Sequence, residues 1–121
     1  MTISEAITNI NSVKPNAYTA AEKVAWLYTL DLLVKKNILD MYTEEVEDIE
    51  EYTTADQTAE LLVPAPWDKI YEHYMAGEID RLNGETDLYN NDTVLFNRAM
   101  ADFRNAYNRA HEHKRAAVML I

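Results

Sequence analysis

The chain has 121 residues, 21 of them acidic and 11 basic, a net charge of −10 and 48% apolar side chains, values that fit one globular domain and not a disordered segment. With no cysteine, disulfides, thiolate nucleophiles and Cys-ligated zinc are excluded. Two glycines (Gly77, Gly84) and two serines (Ser4, Ser12) leave no clustered-glycine phosphate loop and no Gly-x-Ser-x-Gly nucleophile elbow.

The opening Met1-Thr-Ile-Ser-Glu lacks the basic stretch and apolar core of a signal peptide. No apolar run approaches the roughly 18 residues needed to cross a bilayer, so a soluble intracellular domain with no membrane partner is expected. A first helix over 3–12 is predicted from Ile3, Ile7 and Ile10, with Thr2 and Glu5 spaced as a capping box. Pro15 separates it from a second helix over 20–42, opened by Thr19 and Glu22 in the same spacing. There Val24, Leu27, Leu30, Val34, Ile38 and Met41 form one stripe, widened by Trp26 and Leu33.

Residues 44–60 hold eight acidic side chains and no basic one, a density that resists tight packing. Tyr52 to Asp56 have little periodicity and read as loop. Leu61-Leu62-Val63 read as a return to the core, stopped by Pro64-Ala65-Pro66. The span 43–65 is therefore a long excursion of the kind that often serves an interface. A third helix is predicted over 66–83, with Pro66 in its first turn and Asp68 near its positive end. Its buried face would be Trp67, Ile70, Tyr71, Tyr74, Met75, Ile79 and Leu82, and Asn83-Gly84 its stop. A turn over 85–91 then leads to Asp92 or Thr93 as the cap of a last helix over 93–114, carrying Phe96, Met100, Phe103, Tyr107 and Ala110. No internal repeat is present. The expected fold is a single all-α domain of about four helices over 1–115, followed by an apolar tail over 116–121.

No catalytic, cofactor-binding or metal-ligating set emerges. His111 and His113 lie two apart, about 200° around a helix, and could not share an ion. No Glu-x-x-His pattern occurs either, so both read as exposed polar residues at a fraying helix end. His73, between Tyr71 and Tyr74, reads as a histidine at the edge of the core. A non-enzymatic protein without cofactor is expected. The eight tyrosines fit either the rim of a thin core or a partner surface.

Charge is divided along the chain. Against the acidic 44–60, residues 98–115 carry five basic and two acidic side chains. Two readings stand: head-to-side association of copies, which can close into a ring, or a solvated loop plus cations favoured at a helix C-terminus. Under the first, Glu44, Glu45, Glu47, Asp48, Glu50 and Glu51 are candidates for an intersubunit or lumen face, and Arg98, Arg104 and Arg109 for the matching basic face. Net negative charge argues against direct or sequence-specific nucleic acid binding. The tail residues Val118, Met119, Leu120 and Ile121 could fold back on the helices or dock on a partner.

The run Glu60-Leu-Leu-Val-Pro-Ala-Pro-Trp-Asp-Lys-Ile-Tyr71 carries a family resemblance. It continues through Ile79-Asp80, Asn83-Gly84-Glu85, Tyr89-Asn90-Asn91, Phe96-Asn97 and Tyr107-Asn108-Arg109-Ala110-His111. The opening Met1-Thr-Ile-Ser-Glu-Ala-Ile and Lys14-Pro15-Asn16 fit the same pattern. The chain resembles head–tail connector, or head-completion, proteins of long-tailed phages and prophages. That resemblance implies an all-helical virion subunit made in the host cytoplasm. It would assemble as a ring, typically of twelve copies, between the portal protein and the tail or head-closure protein, around the DNA exit channel. It also implies a C-terminal segment engaging the portal, for which Val118–Ile121 are the candidates by position. An acidic lumen would let DNA slide without sticking. The alternative from another class is a small acidic regulatory protein that binds a basic host or phage protein.

Overall fold

The computed structural model describes residues 1–113. Within them lie four α-helices, α1 (Ile3–Val13), α2 (Ala20–Asn37), α3 (Lys69–Leu82) and α4 (Thr86–Ala110), with a 3₁₀ turn at Leu39–Met41. No strand occurs among the described residues, only isolated bridges pairing Thr2 with Glu60 and Tyr42 with His113. The all-α expectation holds.

Both predicted N-cap threonines close the first turn of their helices. Thr2 Oγ1 accepts from the Glu5 amide and Thr19 Oγ1 from the Glu22 amide, each at 3.1 Å, supplying orphan donors of the first turns. α3 is the central helix, in contact with α1, α2 and α4. Around it Ile3, Ile10, Leu27, Leu30, Val34, Ile70, Tyr71, Met75 and Ile79 are sealed from solvent. The excursion 43–65 is irregular apart from the Thr2–Glu60 bridge, and it returns to the core at Leu61 and Val63. Its last part is stitched to the start of α1, with Ile3 N donating to Ala59 O at 3.0 Å and Leu61 N to Met1 O at 2.9 Å.

Four helix boundaries differ from the sequence expectation. α2 ends at Asn37 and not at 42, because Ile38 leaves helical geometry and the following 3₁₀ turn places Leu39 and Tyr42 together in the core. Residues three apart eclipse in such a turn. Met41, placed on the buried stripe by spacing, is consequently 43% exposed, and Leu33, beside that stripe within α2, is 40% exposed. α3 starts at Lys69 and not at Pro66: Pro64–Trp67 form a turn, with Trp67 N donating to Pro64 O at 3.0 Å, and Asp68 caps without a side-chain bond. Leu82 projects outward, 46% exposed.

α4 begins at Thr86, well before 93, and the segment read as a turn is helical. Gly84, at φ +75°, reverses the chain in the left-handed region, and Glu85 N bonds Asp80 O at 2.9 Å. Packing of Tyr89 and Asp92 beside Gly77 then overrides the turn propensity of Asn90-Asn91. At its other end α4 stops at Ala110, since His111 is extended (φ −133°, ψ 149°). Met100 and Phe103 are its buried residues; Phe96 and Tyr107 are half-buried and Ala110 is exposed.

One polar group sits inside this core. Asp31 of α2 is 0% exposed. Its Oδ1 accepts from Tyr71 Oη at 2.6 Å, and its Oδ2 from Tyr52 Oη at 2.6 Å and the Leu62 amide at 3.1 Å. Tyr71 Oη in turn accepts from the Val63 amide at 2.7 Å. Burial pushes the Asp31 carboxyl above its ordinary range, against the three hydrogen bonds that favour its ionised form. Replacing Asp31 by Asn puts an NH₂ where donors converge, leaving buried donors unmet at about 1–3 kcal/mol each. Asp31→Asn is expected to lower unfolding free energy in urea by on the order of 3 kcal/mol, and Tyr52→Phe by about 1 kcal/mol.

Candidate interaction surfaces

The acidic segment is held at both ends. Tyr42 and Tyr52 anchor it, and Val46 and Ile49 between them are half-buried. This inward spacing of three and four residues turns the intervening carboxylates outward. Glu44, Glu45, Glu47, Asp48, Glu50 and Glu51 are all exposed. Two have partners: Glu44 lies 2.8 Å from His111 Nε2, and Asp48 lies 3.3 Å from Lys35 Nζ, which also binds Asp40 at 2.9 Å. Glu45, Glu47, Glu50 and Glu51 make no ion pair among the described residues.

Arg98, Arg104 and Arg109 are likewise exposed and without an ion pair among the described residues. They do not form one face. At about 100° per residue Arg98 and Arg109 fall within about 20° of each other, whereas Arg104 lies about 120° from the first and about 140° from the second. The single basic face expected from sequence is thus a two-residue stripe with one arginine off its side, a consequence of six- and five-residue spacing in an unbroken helix.

The two charged regions adjoin at the C-terminal end of α4. Tyr42, buried, sits at the centre of an aromatic cluster there, its ring centroid 4.9 Å from Tyr107 and 5.1 Å from His113. His111 stacks flat on Tyr107, at 3.7 Å and 7°. Tyr42 Oη donates to Asn108 Oδ1 at 3.0 Å, and the Thr43 amide donates to Glu112 O at 2.8 Å. His111 and His113, expected as exposed residues on a fraying helix, are instead half-buried packing groups beyond the helix end. The ring nitrogens of His111 face Tyr107 O at 3.0 Å and Glu44 at 2.8 Å. His73 is half-buried as expected, its imidazole pushed below its ordinary value by burial.

An apolar depression bounded by Leu39, Leu62, Pro64, Trp67, Phe103 and Ala110 lies beside this cluster. Val118, Met119, Leu120 and Ile121 lie outside the described residues. Among the described residues no group of three or more metal-ligating side chains occurs, and no helix is long and apolar enough to cross a membrane. Compared with protein-family models, curated proteins and solved structures, the chain matches none.

Sequence reasoning missed the groups that hold these surfaces in place. Tyr52 was indistinguishable from loop, yet it reaches Asp31 and packs edge-on against Tyr28 at 5.4 Å. Asp31 did leave a signal: it lies four residues after Leu27 and three before Val34, on the apolar stripe itself. Lys23, also buried, donates to Asn11 Oδ1 at 2.7 Å and Tyr18 O at 2.8 Å. Ring contacts like those of Tyr107 contribute about 0.5–1.5 kcal/mol each. Tyr107→Ala is therefore expected to speed hydrogen exchange at the Thr43 amide by roughly tenfold, with the Met75 amide inside α3 unchanged.

Proposed function

We propose that this protein is a structural, non-enzymatic head–tail connector subunit, assembling as a ring between portal and tail around the DNA exit channel. The observation that carries this reading is a pair of exposed charge sets without an ion pair among the described residues, Glu45, Glu47, Glu50 and Glu51 on the excursion and Arg98, Arg104 and Arg109 on α4. Opposite charges on one rigid subunit suit heterologous contacts, in which one copy's acidic segment meets the next copy's arginines. Carboxylates left over from such contacts would face the lumen, where like charge keeps DNA from adhering. The resemblance over 60–111 and the apolar residues 116–121 supply the expected neighbours, with Val118–Ile121 as the portal-docking peptide.

The exposed carboxylates also suit the second reading, an acidic regulator that occupies a basic protein's surface. The two separate by location, since an adaptor is present in purified virions and a regulator is not.

Exposed ion pairs contribute about 0.2–1 kcal/mol each, so reversing three arginines should weaken assembly by roughly tenfold or more. The Arg98→Glu, Arg104→Glu, Arg109→Glu triple variant is expected to keep its helicity while losing co-assembly with the portal protein of the same genome, read by native mass spectrometry. Normal assembly by a helical triple variant would exclude the charge-pairing arrangement. Removal of 116–121 is expected to abolish the added ring on the portal.

A further inference from the structure

A second polar cluster lies where α1, α3 and α4 meet. Asp80 of α3 is 2% exposed, and its Oδ1 accepts from Nζ of Lys14, the residue that caps α1, at 3.0 Å. Asp80 Oδ2 is buried with no donor, and so is Oδ2 of Asp92 on α4. Asp80 lies one turn beyond Gly77 on α3, and Asp92 Cβ of α4 packs beside Gly77, which brings the two carboxyls to one site; two ionised carboxylates there have no proton to share. One proton between them satisfies both orphan oxygens.

Two cations lie in the surroundings: Lys14, bonded to Asp80, and Arg81, held by Glu78 at 2.8 Å. Lys14 comes from the end of α1; His73, Tyr74 and Glu78 of α3 and Tyr89 of α4 line the same depression as Asp92. His73 is pushed toward its neutral form by burial, and Tyr18 is engaged with Asn83 at 2.6 Å. This is also where the first half of α4 rests on α3, through the contact of Tyr74 with Phe96 at 5.5 Å and the approach of Asp92 to Gly77.

We propose that the Asp80–Asp92 pair is a proton-operated latch: with one proton shared between the carboxyls the first half of α4 is docked on α3, and loss of that proton releases it. Two negative charges in one buried site repel each other, and Lys14 offsets part of one. In keeping with this geometry, burial and the neighbouring Asp80 push Asp92 up to about 7, while Lys14 pulls it down. Because the folded value exceeds the unfolded one, the contribution of the latch is complete below about pH 4 and is lost as pH rises through about 7. The inference stands apart from the proposed assembly, although α4 is the helix that presents the three arginines.

The test uses the full chain. Carbon-detected NMR should place the Asp92 carboxyl midpoint above pH 6. Hydrogen exchange over 86–99, corrected for its intrinsic pH dependence, should rise by up to about tenfold per pH unit between about pH 4 and 7, where the docked form holds the proton and the released form does not, and should level off above that range. In Asp92→Asn the side-chain N–H replaces the shared proton, and the corrected exchange should be flat with pH. Lys14→Met removes the cation bonded to Asp80 and should move the Asp92 midpoint upward. A midpoint near 4 would overturn the proposal, as would corrected exchange that is equally flat in the parent chain, or a midpoint that Lys14→Met leaves in place or lowers. Should Asp92→Asn fail to fold, the two carboxyl titrations decide alone.

Discussion

The arrangement of the molecule depends on a carboxyl group sealed from solvent, that of Asp31. Taking an ionised group out of solvent costs several kcal/mol unless hydrogen bonds replace its hydration, and Asp31 on α2 cannot obtain them from its own helix. It draws one from Tyr71 on α3 and two from the excursion, through Tyr52 and the Leu62 amide. The hydroxyls of Tyr52 and Tyr71 are held far above their ordinary values by burial and by the adjacent carboxylate, so they remain donors. A segment with dense like charge and almost no regular structure is thereby fastened to two helices. Asp31 holds the middle of the excursion, while the Tyr42 cluster holds its start and buried Leu61 and Val63, with the bonds to the start of α1, hold its end.

What the sequence disclosed follows the range of the forces involved. Helix starts at Thr2 and Thr19 were legible because a capping box is local. The core stripe of α1 and α2 and the return of Leu61–Val63 were legible because burial leaves a period. The end of α2 was not, since it depends on where Tyr42 must go to meet Tyr107. The start of α4 was hidden because Asn90 and Asn91 carry turn chemistry that packing against α3 outweighs.

The charged residues were correctly singled out as exposed, and their grouping was not. Sequence distance gathered Arg98, Arg104 and Arg109 into one face that helical geometry divides. His111 and His113 gave no sign of their packing role, because their aromatic neighbour Tyr42 is remote in sequence. Asp31 could have been found by asking which residue on the α2 stripe was polar.

The contrast between buried and exposed charge bears on what the surface is for. Asp31, Lys23 and Asp80 are each met by specific groups, as a water-excluded charge must be. Glu45, Glu47, Glu50, Glu51 and the three arginines are met by none among the described residues, and at the surface their hydration makes this inexpensive. The fold therefore gains nothing measurable from placing them where they are. α4 is held at one end by α3 and the aspartate pair, and at the other by the Tyr42 cluster. A helix fixed at both ends keeps its outward side chains at constant spacing without using them for stability. That is the condition under which a charge pattern can answer to a partner alone.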